Sequence, residues 1–167
     1  MALIDGMLQE LEQETHTTRR VLERVPNNQL AWRPHEKART LGELALHVAT
    51  VPGGVAEFVA SPSPAQAPQF TDDPSPKSAS ELIPALDQSI AKAKQVLGGM
   101  DDAALMATWR LMRGERELIA VSRVAFLRSV MLNHWYHHRG QLTVYLRELG
   151  VPVPAIYGPS ADENPFA

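Results

Sequence analysis

Cysteine is absent from the 167 residues of this chain. That excludes a thiolate nucleophile, any disulfide and any metal site built on cysteine sulfur. It suits a reducing compartment, so the cytoplasm is the expected location. Long apolar runs are also missing, and no stretch approaches the ~20 residues a membrane-spanning helix needs. The first residues, Met1-Ala2-Leu3-Ile4-Asp5, lack the charged start and apolar stretch of a secretory leader. Concentrated positive charge is scarce as well. The chain has 16 basic against 19 acidic residues, a formal net charge of −3, and Arg19-Arg20 is its one adjacent basic pair. Neither nucleic acid nor a membrane is therefore an expected partner. What remains is enough chain for a single domain over residues 1–167, burying roughly 70% of its unfolded surface.

Apolar periodicity organises that domain. Ile4, Met7, Leu8, Leu11, Thr18, Leu22 and Val25 recur at helical steps and predict a first helix that Pro26-Asn27-Asn28 closes. A loop from Asn27 to Arg39 follows, with Trp32 expected to cover the edge of the helices. Thr40 and Glu43 have the capping-box spacing, and the stripe Leu41, Leu44, Val48, Val51, Val55, Phe58 predicts a second helix, bent near residues 48–54 by Pro52-Gly53-Gly54. Residues 61–77 are rich in Pro, Ser and Ala and read as a surface crossover long enough to join two parallel helices. Ser78 or Ser80 starts a third helix with Leu82, Leu86, Ile90 and Leu97 on its buried face, stopped by Gly98-Gly99. Residues 107–121 flank Arg113-Gly114-Glu115-Arg116 and predict a small β-hairpin. The last and longest helix is expected from Ser122 to Leu149, with Gly150 as its cap. The tail Val151–Ala167 should wrap the surface in extended form.

Half of the six histidines fall in Asn133-His134-Trp135-Tyr136-His137-His138-Arg139-Gly140-Gln141. His134 and His138 are four apart, one turn apart on the same helix face, a spacing that lets two imidazoles grip one ion. On a wheel of 100° per residue they share a core-facing stripe with Leu127, Met131, Gln141, Leu142, Tyr145 and Leu149. His47, on the flank of the second helix, is the candidate third ligand. Beside this reading stands a plainer one, in which all three rings are hydrogen-bonded core residues. Three neutral imidazoles suit Zn, Ni, Fe or Cu and disfavour Mg or Ca. Zinc is the expected metal, and nickel, iron or manganese are its alternatives. His137 points further round and takes a supporting or surface role. Glu43 either orients His47 or caps the helix with Thr40. Gln141 and Tyr145 lie on the histidine face and are expected to reach an open coordination position. Arg139 is expected to face away from it in a structural salt bridge. Gly140 is expected to mark close approach of a helix or the tail.

These residues resemble the DinB-like proteins, metal-dependent enzymes grouped with damage-inducible proteins. The matching pieces are Trp32-Arg33-Pro34, Leu41-Gly42-Glu43-Leu44-Ala45-Leu46-His47, His134 with His138-Arg139-Gly140-Gln141-Leu142, and the tail from Val151 to Glu163. The resemblance implies an all-α, four-helix bundle of up-down-down-up topology with a long crossover. It implies a divalent metal held by His47, His134 and His138, and a homodimer. Some relatives are thiol-dependent transferases or isomerases that use a low-molecular-weight thiol. The expected function is therefore metal-dependent hydrolysis or thiol transfer on a small molecule. The alternative is a non-catalytic stress-response or ligand-binding bundle with a structural metal.

Overall fold

The computed structural model describes residues 2–69 and 74–167. In chain order the elements are α1 (Leu3–Leu22), α2 (Leu41–Ala60), β1 (Ala65–Gln66), α3 (Leu82–Gly98), α4 (Asp102–Met106), β2 (Thr108–Arg113), β3 (Arg116–Ser122), α5 (Arg123–Phe126) and α6 (His134–Glu148). A π-helical stretch, Leu127–Asn133, joins α5 to α6, so the last helix is continuous but not α throughout. The part of the predicted crossover at residues 70–73 lies outside the described residues.

The architecture is mostly helical with a small three-stranded sheet, so the expected helical fold carries the expected hairpin before the last helix and one short strand more. The hairpin is present: β2 and β3 pair antiparallel, with Arg113 opposite Arg116. Gly114 has φ 59°, which suits the first central position of a two-residue hairpin turn. The sequence pattern misses β1, which is two residues long and pairs parallel with β2 at Leu111 and Met112. Periodicity needs more residues than that to register. The sheet is anchored by Trp109, fully buried between Phe58 of α2 and Phe126 of α5.

α2 is the centre of the molecule and packs against α3, α6 and the π-helical stretch. Its start is the predicted capping box: Thr40 Oγ1 accepts from Glu43 N at 3.2 Å, and Thr40 N donates to Glu43 Oε2 at 2.6 Å. Pro52 lies inside α2 and, having no N–H, leaves the carbonyl of Val48 without its helical donor. The buried indole of Trp135 takes that place, donating Nε1–H to Val48 O at 2.8 Å. One residue further on, Gly53 N donates to Ser89 Oγ at 2.8 Å, and that hydroxyl donates to Thr50 O at 3.0 Å. The opened ladder is thus closed by side chains from α6 and α3, which fixes both against α2.

The last helix ends where predicted. Gly150, at φ 71°, donates to Arg147 O, and Val151 N donates to Leu146 O, the paired bonds of a Schellman cap. The tail beyond it buries Val153, Pro154 and Ala155. It is tied down by Asp162 to Arg147 and by Glu163 to Arg20 and Arg24.

Candidate metal centre

α2 delivers His47 and α6 delivers His134 and His138 to one point. One ring nitrogen from each lies within 4.8 Å of the others. His47 Nε2 and His134 Nε2 are 3.1 Å apart. The His138 ring centroid is 4.6 Å from that of His47 and 4.4 Å from that of His134. Two nitrogen lone pairs at 3.1 Å repel unless a proton or a cation stands between them. Ligands to an ion with bonds of ~2.0–2.1 Å are separated by about 2.9–3.4 Å, so the pair has the spacing of two ligands to one ion. The donor set, all imidazole, can hold a transition-metal ion.

Gln141 has a different task from the one expected. Its Oε1 lies 2.7 Å from His138 Nδ1. A carbonyl oxygen only accepts, so Nδ1 carries the hydrogen and the lone pair is on Nε2, as a metal-ligating histidine requires. Tyr145 does not bond into the centre: its hydroxyl donates to Arg39 O at 3.3 Å and its ring meets Trp32 edge-on at 5.5 Å. Glu43 is engaged with Thr40, the capping role. His137 is exposed and touches the centre through its ring contact with His138 at 5.0 Å.

The histidines are partly buried and flank the core stripe rather than sit in it. The fully buried positions of α6 are Trp135, Arg139, Leu142 and Leu146, one residue further round. Arg139 does face away from the centre and does make a salt bridge, but a buried one, with Glu14. Gly140 corrects another expectation: a Cβ there would meet nothing within 4 Å, so no close approach explains it.

Burial pushes the His138 imidazole down to about 4, against a weaker opposing pull from Gln141, and Arg39 and the neighbouring histidines lower it further. His134 is lowered too, chiefly by burial and then by Arg39 and His137. Both rings are therefore neutral at pH 7, the state that binds metal. Above pH 6.5 His138 is neutral in folded and unfolded chains alike. Between 6.5 and about 4 the unfolded chain takes up a proton that the folded one does not, so stability falls as pH falls. Metal-free protein should therefore show a urea midpoint that drops between pH 6.5 and 5, where most carboxylates stay ionised. His138→Asn should flatten that slope, and an equal slope in both proteins would contradict it.

Two recesses flank the centre. A cavity of about 420 Å³ adjoins His47 and His134, walled by Val51 and Phe58 of α2, Leu111 of β2, Leu118 and Ile119 of β3, and Val130. A polar cleft of about 410 Å³ adjoins His138, with Lys37, Arg39, Gln141 and Tyr145 in its walls. The sequence shows neither, because each is assembled from segments distant in the chain.

The model of the DinB family matches residues 2–165. The YrdA protein of Bacillus subtilis (strain 168), itself uncharacterised, is 27% identical over 163 residues, which are 96% of this chain and 91% of YrdA. Among solved structures, a DinB-like protein from Bacillus cereus ATCC 10987 has a TM-score of 0.72 at 26% identity, covering 92% of this chain and 97% of that one. The DinB-like protein YjoA of Bacillus subtilis shares the fold, with a TM-score of 0.67 at 20% identity, covering 92% and 98%.

Proposed function

The chain belongs to the DinB family, and from that premise we propose that it is a metal-dependent enzyme acting on a small molecule, with His47, His134 and His138 as the metal ligands. One observation carries the reading: three imidazole nitrogens from two helices meet within 4.8 Å, beside an apolar cavity of ligand size. A donor set of three residues leaves coordination positions for water or substrate. When bound, a divalent ion such as zinc supplies Lewis acidity there, lowering a water's pKa towards ~7 or holding a thiolate. The reaction class is hydrolysis or thiol transfer.

The chain's own residues prepare the centre. Gln141 holds His138 in the tautomer that presents Nε2. Trp135, bonded to the carbonyl that Pro52 leaves open, fixes the spacing of the two helices one residue from both His47 and His134. Mostly apolar cavity walls line one side of the centre. The proposal extends to a four-helix bundle of up-down-down-up topology, a homodimer, a cytoplasmic location and a low-molecular-weight thiol as co-substrate. Among the described residues, no helix is long and apolar enough to cross a membrane.

Metal analysis of tag-free protein tests the ligand assignment. Wild type should hold about one equivalent of transition metal, and His47→Ala, His134→Ala and His138→Ala should each lose at least nine-tenths of it while staying folded. Wild-type metal content in all three variants overturns the proposal. Turnover of esters, amides or thiol acceptors that stops on chelation supports an enzyme. Retained metal without turnover supports a ligand-binding bundle with a structural metal.

A further inference from the structure

The two sides of the histidine cluster differ in chemistry, and the difference selects a substrate. On the His47 and His134 side, the walls of the 420 Å³ cavity are mostly aliphatic and aromatic, and Arg113, exposed at the rim, is the one permanently charged residue lining it among the described residues. The His138 side has Lys37, Arg39, Gln141 and Tyr145. A sugar placed in the first recess would lose water from its hydroxyls and find few polar partners beyond Arg113 at the rim and the two histidines. An alkyl or aryl group would leave water for apolar contact. Gly54 opens the cavity further: it lines the recess from α2, and a Cβ added there would meet nothing within 4 Å.

We propose that the substrate is amphipathic, with an alkyl or aryl body seated in the cavity between α2, the π-helical stretch and the β2–β3 hairpin, and a polar reacting group at the histidine cluster. This rests on the metal-centre reading above and adds to it the class of molecule handled. The hairpin then has a task in the site: Leu111, Leu118 and Ile119 form the wall that gives the apolar body its place.

A homologous series of alkyl hydroxamates tests it, because the head group chelates a protein-bound ion while the chain reports its surroundings. Zinc-loaded full-length protein should bind the series from acetohydroxamate to octanohydroxamate with affinity rising about fourfold per methylene until the cavity is full. Gly54→Leu adds bulk at the lining of the recess, where a Cβ meets nothing within 4 Å, and it should flatten the series while leaving zinc content and acetohydroxamate affinity unchanged. Gly54→Ala adds one carbon and should keep the rise, separating the blocking effect from any change in the helix. If zinc-loaded protein fails to bind acetohydroxamate, the metal-centre reading and this inference both fall. If acetohydroxamate binds but the series is flat, the cavity assignment alone is overturned. A rise that persists in Gly54→Leu places the chains elsewhere and overturns it as well.

Discussion

Arg139→Met should destabilise the protein by about 3–5 kcal/mol, because it removes one partner of a buried ion pair and leaves the other without compensation. Arg139 and Glu14 are only 1% and 6% exposed, and Nη1 lies 2.6 Å from Glu14 Oε2. The same guanidinium donates to Thr18 Oγ1 at 3.1 Å and to the Tyr157 hydroxyl, which in turn donates to Glu14 Oε2 at 2.9 Å. It also lies 5.2 Å from the ring centroids of both Tyr136 and Tyr157. This one side chain therefore joins α6, α1 and the C-terminal tail. The cost belongs mainly to the stranded carboxylate, so Glu14→Leu combined with Arg139→Met should recover most of the lost stability. Urea unfolding of the two single variants and the double variant measures this. If the double variant's loss equals the sum of the single losses, the buried-pair explanation fails.

Gly53→Ala should cost about 2–3 kcal/mol, although alanine favours a helix interior over glycine by about 1 kcal/mol. A Cβ at Gly53 would stand 2.7 Å from Ser89 O and 2.9 Å from Ser89 Cα. Both are backbone atoms of α3, so the helix itself must move rather than a side chain. Movement would also break the two bonds by which Ser89 Oγ closes the ladder of α2 around Pro52. At the adjacent residue the sign reverses: Gly54→Ala meets open space and should stabilise by about 0.5–1 kcal/mol. Thermal unfolding of the two variants should move in opposite directions from wild type. A stabilised Gly53→Ala would show that the α2–α3 contact is looser than these distances require.

Some of this was legible in the amino-acid order because it depends on neighbours in the chain. The Thr40–Glu43 capping box, the hairpin around Gly114 and the cap at Gly150 are all set by residues within a turn or two, and each stands as the sequence predicts. The pairing of His134 with His138 is also local, since it needs only a helix. The face they occupy was not legible, because the 100° wheel assumes an α-helix throughout. The wider π-helical turn of Leu127–Asn133 advances less per residue. Leu127 and Met131 therefore fall out of register with the histidines and belong to the core stripe that Trp135, Arg139 and Leu142 continue.

By itself, then, the sequence determined the long helices, the hairpin, the family and the three histidines that meet, because periodicity, turn chemistry and motif spacing act over short stretches of chain, while the short α4 and the π-helical stretch went unread. Only the tertiary structure decided which atoms face one another across those stretches. It placed the Trp135 indole on the carbonyl left open by Pro52, buried Arg139 against Glu14, gave Gln141 to His138, and built the apolar cavity from a helix, a hairpin and a π-helical turn. The physical reason is that burial and hydrogen-bond partnership belong to pairs of distant segments, and no window along one strand of sequence contains both members of such a pair.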